Sequence, residues 1–219
     1  EQWEAFEEFP SYEIYVDKGE ALFNNTKFKN GKGFKDCFPN ANKGIKGKYP
    51  YFDEKKGKVI TIEATINKCV TSNGDKKWGW KKGKMAYLSA YLSYKTRGQT
   101  IDIKTPKSKA AVAAYTRGKA HFYAKRGQLN MSCADCHYYY SGNKIRADIL
   151  SPALGHVSHF PVYRNKWAKK GGDGMGTLHR RYGGCNKQVR ARPFKAQSAE
   201  YSALEYFHTY MSNGLKWNG

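Results

Sequence analysis

Acidic residues are scarce in this chain of 219 residues. Lys and Arg total 39 against 18 Asp and Glu, which gives a formal net charge of +21 at pH 7. A positive field of this size concentrates anions near the surface, but it does not distinguish nucleic acid from acidic proteins or small anions. The basic residues are spread over the whole chain, and no helix-turn-helix, RNP-like strand or paired zinc spacing accompanies them. We therefore expect no nucleic-acid partner.

Long apolar runs are also missing. No stretch approaches the roughly 20 apolar residues that cross a bilayer, so we expect no membrane span. Disorder is excluded as well, since 40% of the residues are hydrophobic and 15% aromatic. No charged-then-apolar leader is visible, and the opening Glu1-Gln2-Trp3-Glu4 resembles a mature end after processing. The length allows one large domain or two small ones.

Cysteines are few and odd in number, so they cannot all pair with one another. The five are Cys37, Cys69, Cys133, Cys136 and Cys185. Cys133-Ala134-Asp135-Cys136-His137 is a C-x-x-C-H run, in which two thiols one turn apart add to the vinyl groups of a haem and the imidazole reaches the iron. A half zinc site lacks its second C-x-x-C here, and a redox C-x-x-C does not require the histidine. We expect one covalently bound haem c, which in bacteria is attached outside the cytoplasm, where disulfides are permitted.

An internal repeat supports this interpretation. Gly118 precedes Cys136 by 18 residues, and Gly19 precedes Cys37 by 18 residues, each glycine opening a Gly-x-x-x-Phe segment. Cys37 therefore aligns with Cys136, the second cysteine of the haem-attachment motif. Phe34 stands at the position of the first cysteine, and Phe38 stands at the position of the histidine.

Each repeat ends in an aromatic helical pattern, at residues 85–92 and 203–210. The fold class we predict is mostly α, with two c-type-cytochrome-like domains in tandem, the first (1–100) without haem and the second (101–219) with it. Residues 93 to 117 are expected to form the connection, with a helical run at 110–115 after Pro106. Residues 24–58 and 165–176 are expected to be loops, and residues 59–62 a strand.

The sixth ligand of the iron has several candidates. Ordinary electron-carrying cytochromes use Met, and the histidines downstream of the motif are further options. These candidates are Met175, Met211, His156, His159 and His179. Cys185 differs from them because it lies among Arg180, Arg181, Lys187, Arg190, Arg192 and Lys195. Such a cluster of cations is expected to lower the pKa of the thiol and to favour the metal-binding thiolate.

The C-x-x-C-H run, the later R-R-Y-G-G-C-N sequence at 180–186 and the degenerate first half together resemble the SoxA family. These are the A subunits of the SoxAX cytochrome, the L-cysteine S-thiosulfotransferase of bacterial sulfur oxidation. The resemblance implies His137 as the proximal haem ligand and Cys185, as a persulfide, as the distal ligand and catalytic cysteine. It also implies that Arg181 contacts substrate. The missing first attachment motif resembles the monohaem type, in which Cys37 and Cys69 form a disulfide.

The resemblance further implies partners and a compartment. The expected partners are a small haem-bearing X subunit in a heterodimer, a SoxYZ-type sulfur carrier and thiosulfate, all in the periplasm. Arg180, Lys187, Arg190 or Arg192 would assist Arg181 with the anion. Asp173 and the pair Lys169-Lys170 are expected to belong to a solvated loop, with a position at the entrance as the alternative. Tyr138, Tyr139, Tyr140 and Trp167 are expected to pack on haem or face a partner. The alternatives are a basic monohaem electron carrier that uses Met175, and a thiosulfate dehydrogenase.

Overall fold

A computed structural model describes residues 10–145, 148–169 and 173–218. Its helices and strands, in chain order, are α1 Glu13–Asn25, α2 Phe34–Cys37, β1 Tyr51–Asp53, β2 Lys58–Ile60, α3 Ile62–Ser72, α4 Lys84–Tyr94, α5 Lys109–Tyr123, β3 Lys144–Ile145, β4 Asp148–Ile149, β5 Val162–Tyr163, α6 Asn165–Ala168, β6 Met175–Gly176, α7 Leu178–Gln188 and α8 Ala199–Tyr210. The strands form three two-stranded antiparallel pairs, β1 with β2, β3 with β4 and β5 with β6. The predicted mostly α class is confirmed. Among the described residues, no helix has the length and apolar content needed to cross a bilayer.

Two helix crossings organise the chain, and each depends on a glycine. Helix α1 packs on α4, and α5 packs on α8. A Cβ at Gly19 would collide with the backbone carbonyl of Tyr87, and a Cβ at Gly118 would collide with that of Ala203. Only glycine allows this close approach of two backbones. The two glycines that define the sequence repeat thus occupy equivalent positions in the fold.

The turn after each first helix is also repeated. The backbone N–H of Gly33 donates to Asp36 Oδ2 at 2.7 Å, and that of Ser132 donates to Asp135 Oδ2 at 2.7 Å. In the first half this turn holds no attachment motif, and aromatic rings fill the interior instead. Phe34 and Phe38 are almost fully buried.

A disulfide joins Cys37 to Cys69, in agreement with the pairing that the resemblance implies. It connects α2 to α3, whose residues line the same core as Phe34 and Phe38. The Phe34 ring centroid lies 5.0 Å from that of Phe28 and 5.3 Å from that of Trp78. Aromatic packing and a covalent link therefore stabilise the first half.

The two halves are interleaved at their contact. Met175 belongs to the buried cluster built mainly from the first half, and Tyr163 packs against that cluster. At the other end, the N–H of Gly98 donates to the carbonyl of Trp217 at 2.8 Å, and the N–H of Ile101 donates to that of Leu215 at 2.7 Å. The division into domains 1–100 and 101–219 stays a prediction.

Several predicted element boundaries are wrong. The expected strand at 59–62 ends at Ile60, because the Thr61 hydroxyl accepts a hydrogen bond from the N–H of Ala64 at 3.1 Å and begins α3. Ser108 caps α5 in the same way through the N–H of Ala111. The helical run expected at 110–115 is confirmed, but it is part of the longer α5, which continues from the expected connection through Gly118 to Tyr123.

The two segments expected to be loops also contain regular structure. Residues 24–58 include α2, β1 and two short 3-10 turns, Ala41–Lys43 and Ile45–Lys48. Residues 165–176 include α6 and β6. These elements are only two to four residues long, which is too short for the periodicity of hydrophobic residues to reveal them.

Candidate functional site

One cavity collects most of the predicted site residues. It has an empty volume of about 1170 Å³, its mouth included, and it lies between α5, α7, α8 and the turn that follows Ser132. Its lining includes Cys133, Cys136, His137, Arg181 and Cys185. The haem-attachment motif (133–137) and the R-R-Y-G-G-C-N sequence (180–186) are distant in the chain, and both face the same space.

A reciprocal cap fixes the attachment turn. The Ser132 N–H and hydroxyl donate to Asp135 Oδ2 at 2.7 and 2.9 Å, and the Asp135 N–H donates to Ser132 Oγ at 3.0 Å. This is the hydrogen-bond pattern of a capping box, in which Ser132 is the cap residue and Asp135, three residues later, takes the place of the usual Glu or Gln. The chain then continues as a π-helical turn, Asp135–Tyr139. Cys133 and Cys136 are both free thiols at the cavity wall.

The His137 imidazole is oriented by a backbone carbonyl. Its Nδ1 lies 2.7 Å from the oxygen of Ser151, so Nδ1 holds the proton and donates. Nε2 is thereby left with a lone pair, as in most metal-binding histidines. Burial lowers the pKa of His137 and keeps the ring in the neutral form that a metal ligand needs.

Arg181 and Cys185 lie on α7, one turn apart, and both line the cavity. Burial raises the pKa of the Cys185 thiol, and the charges of Arg181 and Arg164 oppose that rise. The expectation that neighbouring cations lower this pKa is wrong in net sign, because desolvation of the thiolate outweighs the attraction. The other four cations of this segment are exposed and are not among the groups that shift the pKa of Cys185. They are Lys187, Arg190, Arg192 and Lys195.

Arg180 is directed away from the cavity. Its Nη1 donates to the carbonyl of Met175 at 2.8 Å, its guanidinium lies 4.1 Å from the ring centroid of Trp167, and it is 4.0 Å from Asp173 Oδ1. Arg180 and Asp173 thus hold the β5–β6 hairpin against α7. Trp167 packs on this arginine. Lys169 is exposed, and Lys170 lies outside the described residues.

The methionine candidates for the sixth ligand do not line the cavity. Met175 is 1% exposed within the core cluster of the first half, and Met211 packs against the core of the second half. A Met175-ligated electron carrier therefore has no support in this geometry.

Of the three histidine candidates, only His156 lines the cavity, with its ring centroid 5.1 Å from that of His137. His179 pairs instead with Glu205, Nε2 to Oε2, at 2.9 Å. Tyr138, Tyr139 and Tyr140 are exposed, which favours a partner contact over haem packing for these three residues.

Sequence reasoning missed four residues at the site. Ser151 orients His137, and His208 joins the Tyr182 hydroxyl (3.1 Å) to the Ala153 carbonyl (3.0 Å) inside the cavity wall. His121 also lines the cavity, and Arg164 acts on Cys185 from the end of β5. A histidine on the buried face of an aromatic helical pattern was a usable signal for His208. Nothing in the local sequence distinguishes Ser151 or Arg164.

The residues present fit a covalently attached haem. Apolar side chains such as Phe122 and Leu204 cover the walls of the cavity, as is usual for pockets that hold a cofactor. Two free thiols and a neutral imidazole line this cavity, and these are the groups that thioether attachment and ligation of a haem iron require. A porphyrin supplies four nitrogens, so only one or two protein ligands are required. Haem c suits this donor set better than a bare metal ion.

Comparisons with known proteins agree with the site. A family model described as "SoxA/TsdA, cytochrome c domain" matches residues 18–101, in the half without the attachment motif. The L-cysteine S-thiosulfotransferase subunit SoxA of Chlorobaculum tepidum is 55% identical over 218 residues, which cover 100% of this chain and 73% of that protein. The SoxA subunit of Allochromatium vinosum is 48% identical, covering 100% of this chain and 76% of its own.

A solved structure, the SoxXA crystal structure from P. pantotrophus, superposes with a TM-score of 0.83 at 34% identity. The match covers 94% of this chain and 75% of that one. The identities, the coverage and the fold confirm the resemblance drawn from the motifs. The chain belongs to the SoxA family of L-cysteine S-thiosulfotransferase subunits.

Proposed function

We propose that this chain binds one haem c and transfers thiosulfate oxidatively to a cysteine of a carrier protein, with Cys185 as the sulfur-bearing catalytic residue. The observation behind the proposal is that Cys133, Cys136, His137, Arg181 and Cys185 all line one cavity. Separate motifs converge there on the residue set that haem attachment and sulfur transfer require.

Haem would be held by thioethers to Cys133 and Cys136, with His137 as the proximal and Cys185 as the distal ligand. When bound, the haem supplies a one-electron centre whose potential an anionic sulfur ligand lowers. The first half would bind none, because Phe34 and Phe38 replace the attachment cysteine and the histidine and are packed into its core. One haem per chain follows.

Thiosulfate binding would rest on Arg181. Its guanidinium offers paired N–H donors to the sulfonate oxygens of a dianion, in the geometry that makes arginine suited to oxyanions. Arg164 adds positive charge at the same sulfur. Arg180 is engaged with Met175 and Trp167 and would support the wall. Lys187, Arg190 and Arg192, which are exposed, would add only a screened field.

The transfer would proceed through a covalent intermediate on Cys185. The sulfane sulfur of thiosulfate bonds to the terminal sulfur of Cys185, present as a thiolate or persulfide, and two electrons leave. A thiolate of the carrier protein then attacks that sulfane sulfur. The bond to Cys185 breaks, Cys185 leaves as the anion, and the carrier retains the thiosulfonate. Arg181 would hold the sulfonate oxygens through both steps.

The partners and compartment follow from this chemistry. The related crystal structure is that of a SoxXA complex, so a heterodimer with a small haem-bearing X subunit is proposed here, with that subunit accepting the electrons. A SoxYZ-type protein would be the carrier. Covalent haem attachment and the Cys37–Cys69 disulfide both suit the periplasm.

A carrier-linked assay of the complex tests the proposal. Wild-type protein should yield carrier with an added thiosulfonate, while Cys185→Ala and Cys185→Ser should keep covalent haem and lose transfer. Full activity of Cys185→Ala would overturn the mechanism. Tetrathionate formed at an equal rate without carrier would identify a thiosulfate dehydrogenase instead.

A further inference from the structure

Helix α7, which carries Arg181 and Cys185, has little apolar surface of its own. Two of its eleven residues, Leu178 and Tyr182, belong to the hydrophobic core of the second half. The other buried positions of the helix are His179, Gly183 and Asn186. Apolar packing therefore contributes little to holding α7 in place, and polar contacts supply the rest.

Three buried polar pairs join α7 to α8, and we call this set the polar seam. The pairs are His179 with Glu205, Tyr182 with His208, and Asn186 with Tyr201. Their polar atoms lie 2.9, 3.1 and 3.0 Å apart, in that order. All six side chains are buried. On each helix the members are three and four positions apart, so each helix contributes one face to the seam.

The seam residues of α7 are direct neighbours of the proposed catalytic residues. Arg181 immediately precedes Tyr182, and Cys185 immediately precedes Asn186. A hydrogen bond tolerates a narrow range of distances and angles, whereas apolar surfaces can slide on one another. The seam therefore determines how α7 is rotated and where it lies along α8. Rotation or sliding of α7 would move Arg181 and Cys185 together.

The middle pair of the seam also connects α7 to His137. His208 Nε2 lies 3.0 Å from the Ala153 carbonyl, and the Ala153 N–H donates to the His137 carbonyl at 2.8 Å. Burial lowers the pKa of His208 to about 4, so the ring is neutral. Its Nε2 then donates to the carbonyl, and its Nδ1 accepts from the Tyr182 hydroxyl. Three hydrogen bonds in sequence thus run from the helix of Cys185 to the backbone of His137.

We propose that the polar seam positions Cys185 and Arg181 for sulfur transfer, with Tyr182 and His208 setting the separation between the Cys185 sulfur and the His137 imidazole. The inference rests on the proposed function, because this separation matters only if both residues ligate one iron. Contacts outside the ligands fix ligand orientation and tune the centre in many metal sites. Tyr182 and His208 are positioning residues, since they act through Cys185 and His137.

The test compares three Tyr→Phe variants in the haem-loaded complex. Tyr182→Phe removes one hydroxyl of the seam and keeps the ring. Tyr201→Phe removes the acceptor of Asn186. Tyr201 is not part of the cavity lining, so an effect of this variant does not come from direct contact with the haem. Tyr206→Phe is the matched control, because Tyr206 is buried on α8 and its hydroxyl donates to the Lys104 carbonyl at 3.4 Å, a contact that does not involve α7.

Electron paramagnetic resonance of the ferric complex reports the axial ligands of the haem on this chain. In both seam variants its low-spin signal should shift or split. Alkylation of Cys185 by iodoacetamide, followed by peptide mass spectrometry, should be about fivefold faster than in wild type, the factor that corresponds to one lost hydrogen bond. In Tyr206→Phe both measurements should match wild type, although this variant also loses a buried hydrogen bond.

An unchanged signal and an unchanged alkylation rate in both folded seam variants would overturn the proposal. Equal changes in Tyr206→Phe would overturn it too, because they would follow from lost stability and not from the seam. A different result marks failure of the proposed function itself: wild-type complex without haem on this chain, or with Cys185 alkylated as fast as a free thiol.

Discussion

Arg181 and Cys185 lie one turn apart on α7 and line the same cavity, while the adjacent Arg180 faces the opposite way and donates to the Met175 carbonyl. The helical period of 3.6 residues explains the split, since positions four apart share a face and neighbours do not. We therefore propose Arg181, and not Arg180, as the residue of this pair that contacts substrate.

Arg181→Ala should lower kcat/KM for thiosulfate by about 10- to 100-fold, the size of a lost charge-assisted hydrogen bond. Haem content should be unchanged. Arg181→Lys should recover only part of the loss, because an ammonium lacks the paired donors. Arg192→Ala, an exposed cation, is the matched control and should match wild type. Steady-state kinetics with saturating carrier checks this, and equal losses for Arg181→Ala and Arg192→Ala would point to a general field effect.

The disulfide should stabilise the protein without serving the reaction. Cys37 and Cys69 are 32 residues apart in sequence, and a loop of that length corresponds to about 4 kcal/mol on the chain-entropy estimate. The Cys37→Ala/Cys69→Ala variant should lose stability of that order in urea unfolding and retain its turnover number while folded. A folded variant without activity would instead indicate a redox role for the pair.

The helix crossing in the haem-binding half should depend on Gly118. A Cβ there meets the Ala203 carbonyl, so Gly118→Ala must separate α5 from α8 and should cost roughly 2 kcal/mol or more. Gly184, on α7, has open space around it and a negative φ, so Gly184→Ala should raise stability by up to about 1 kcal/mol. Chemical denaturation of the two variants measures both values. Equal effects would contradict the proposed role of close backbone contact.

Acid stability should depend on His121. Its Nε2 has no hydrogen-bond partner among the described residues, and burial together with the nearby Arg126 charge lowers the pKa of His121 to about 4. Between pH 6.5 and 4 the unfolded chain thus binds a proton that the folded protein does not. His121 therefore does not lower the free energy of unfolding above pH 6.5. Below pH 6.5 that free energy decreases as the pH falls towards 4.

His121→Phe should remove part of this acid sensitivity. The loss of unfolding free energy between pH 6.5 and 4 should be smaller than in wild type by about 2–3 kcal/mol, since one pKa unit corresponds to about 1.4 kcal/mol. Urea unfolding at a series of pH values provides the comparison. Parallel curves for the two proteins would show that His121 is not the group that titrates.

Spacing in the sequence predicted much of the fold. Gly19 and Gly118 are each 18 residues before a cysteine, and this register located the opening helix of each half and the degenerate attachment turn. Element boundaries were less predictable, because Thr61 and Ser108 determine them through single capping hydrogen bonds. Such caps compete with strong β propensity at Val59 and Ile60, and the sequence alone does not show which prevails.

At the site, the motif residues were predictable and their surroundings were not. C-x-x-C-H fixes Cys133, Cys136 and His137 through covalent chemistry, independent of tertiary contacts. Ser151 and Arg164 belong to no motif, and only the tertiary fold brings them close to His137 and Cys185. The net pKa direction of Cys185 was predicted wrongly because sequence counts charges but does not show burial, and burial dominates here.

Peptide mass spectrometry of the complex isolated from an oxidising, haem-competent host is the most direct test of the central claim. The account predicts one haem on the Cys133–His137 peptide, a Cys37–Cys69 link, and a Cys185 peptide that gains the mass of a thiosulfonate when thiosulfate is added without carrier. A Cys133–His137 peptide without haem, or a Cys185 peptide that stays unmodified while the carrier is being loaded, would contradict it.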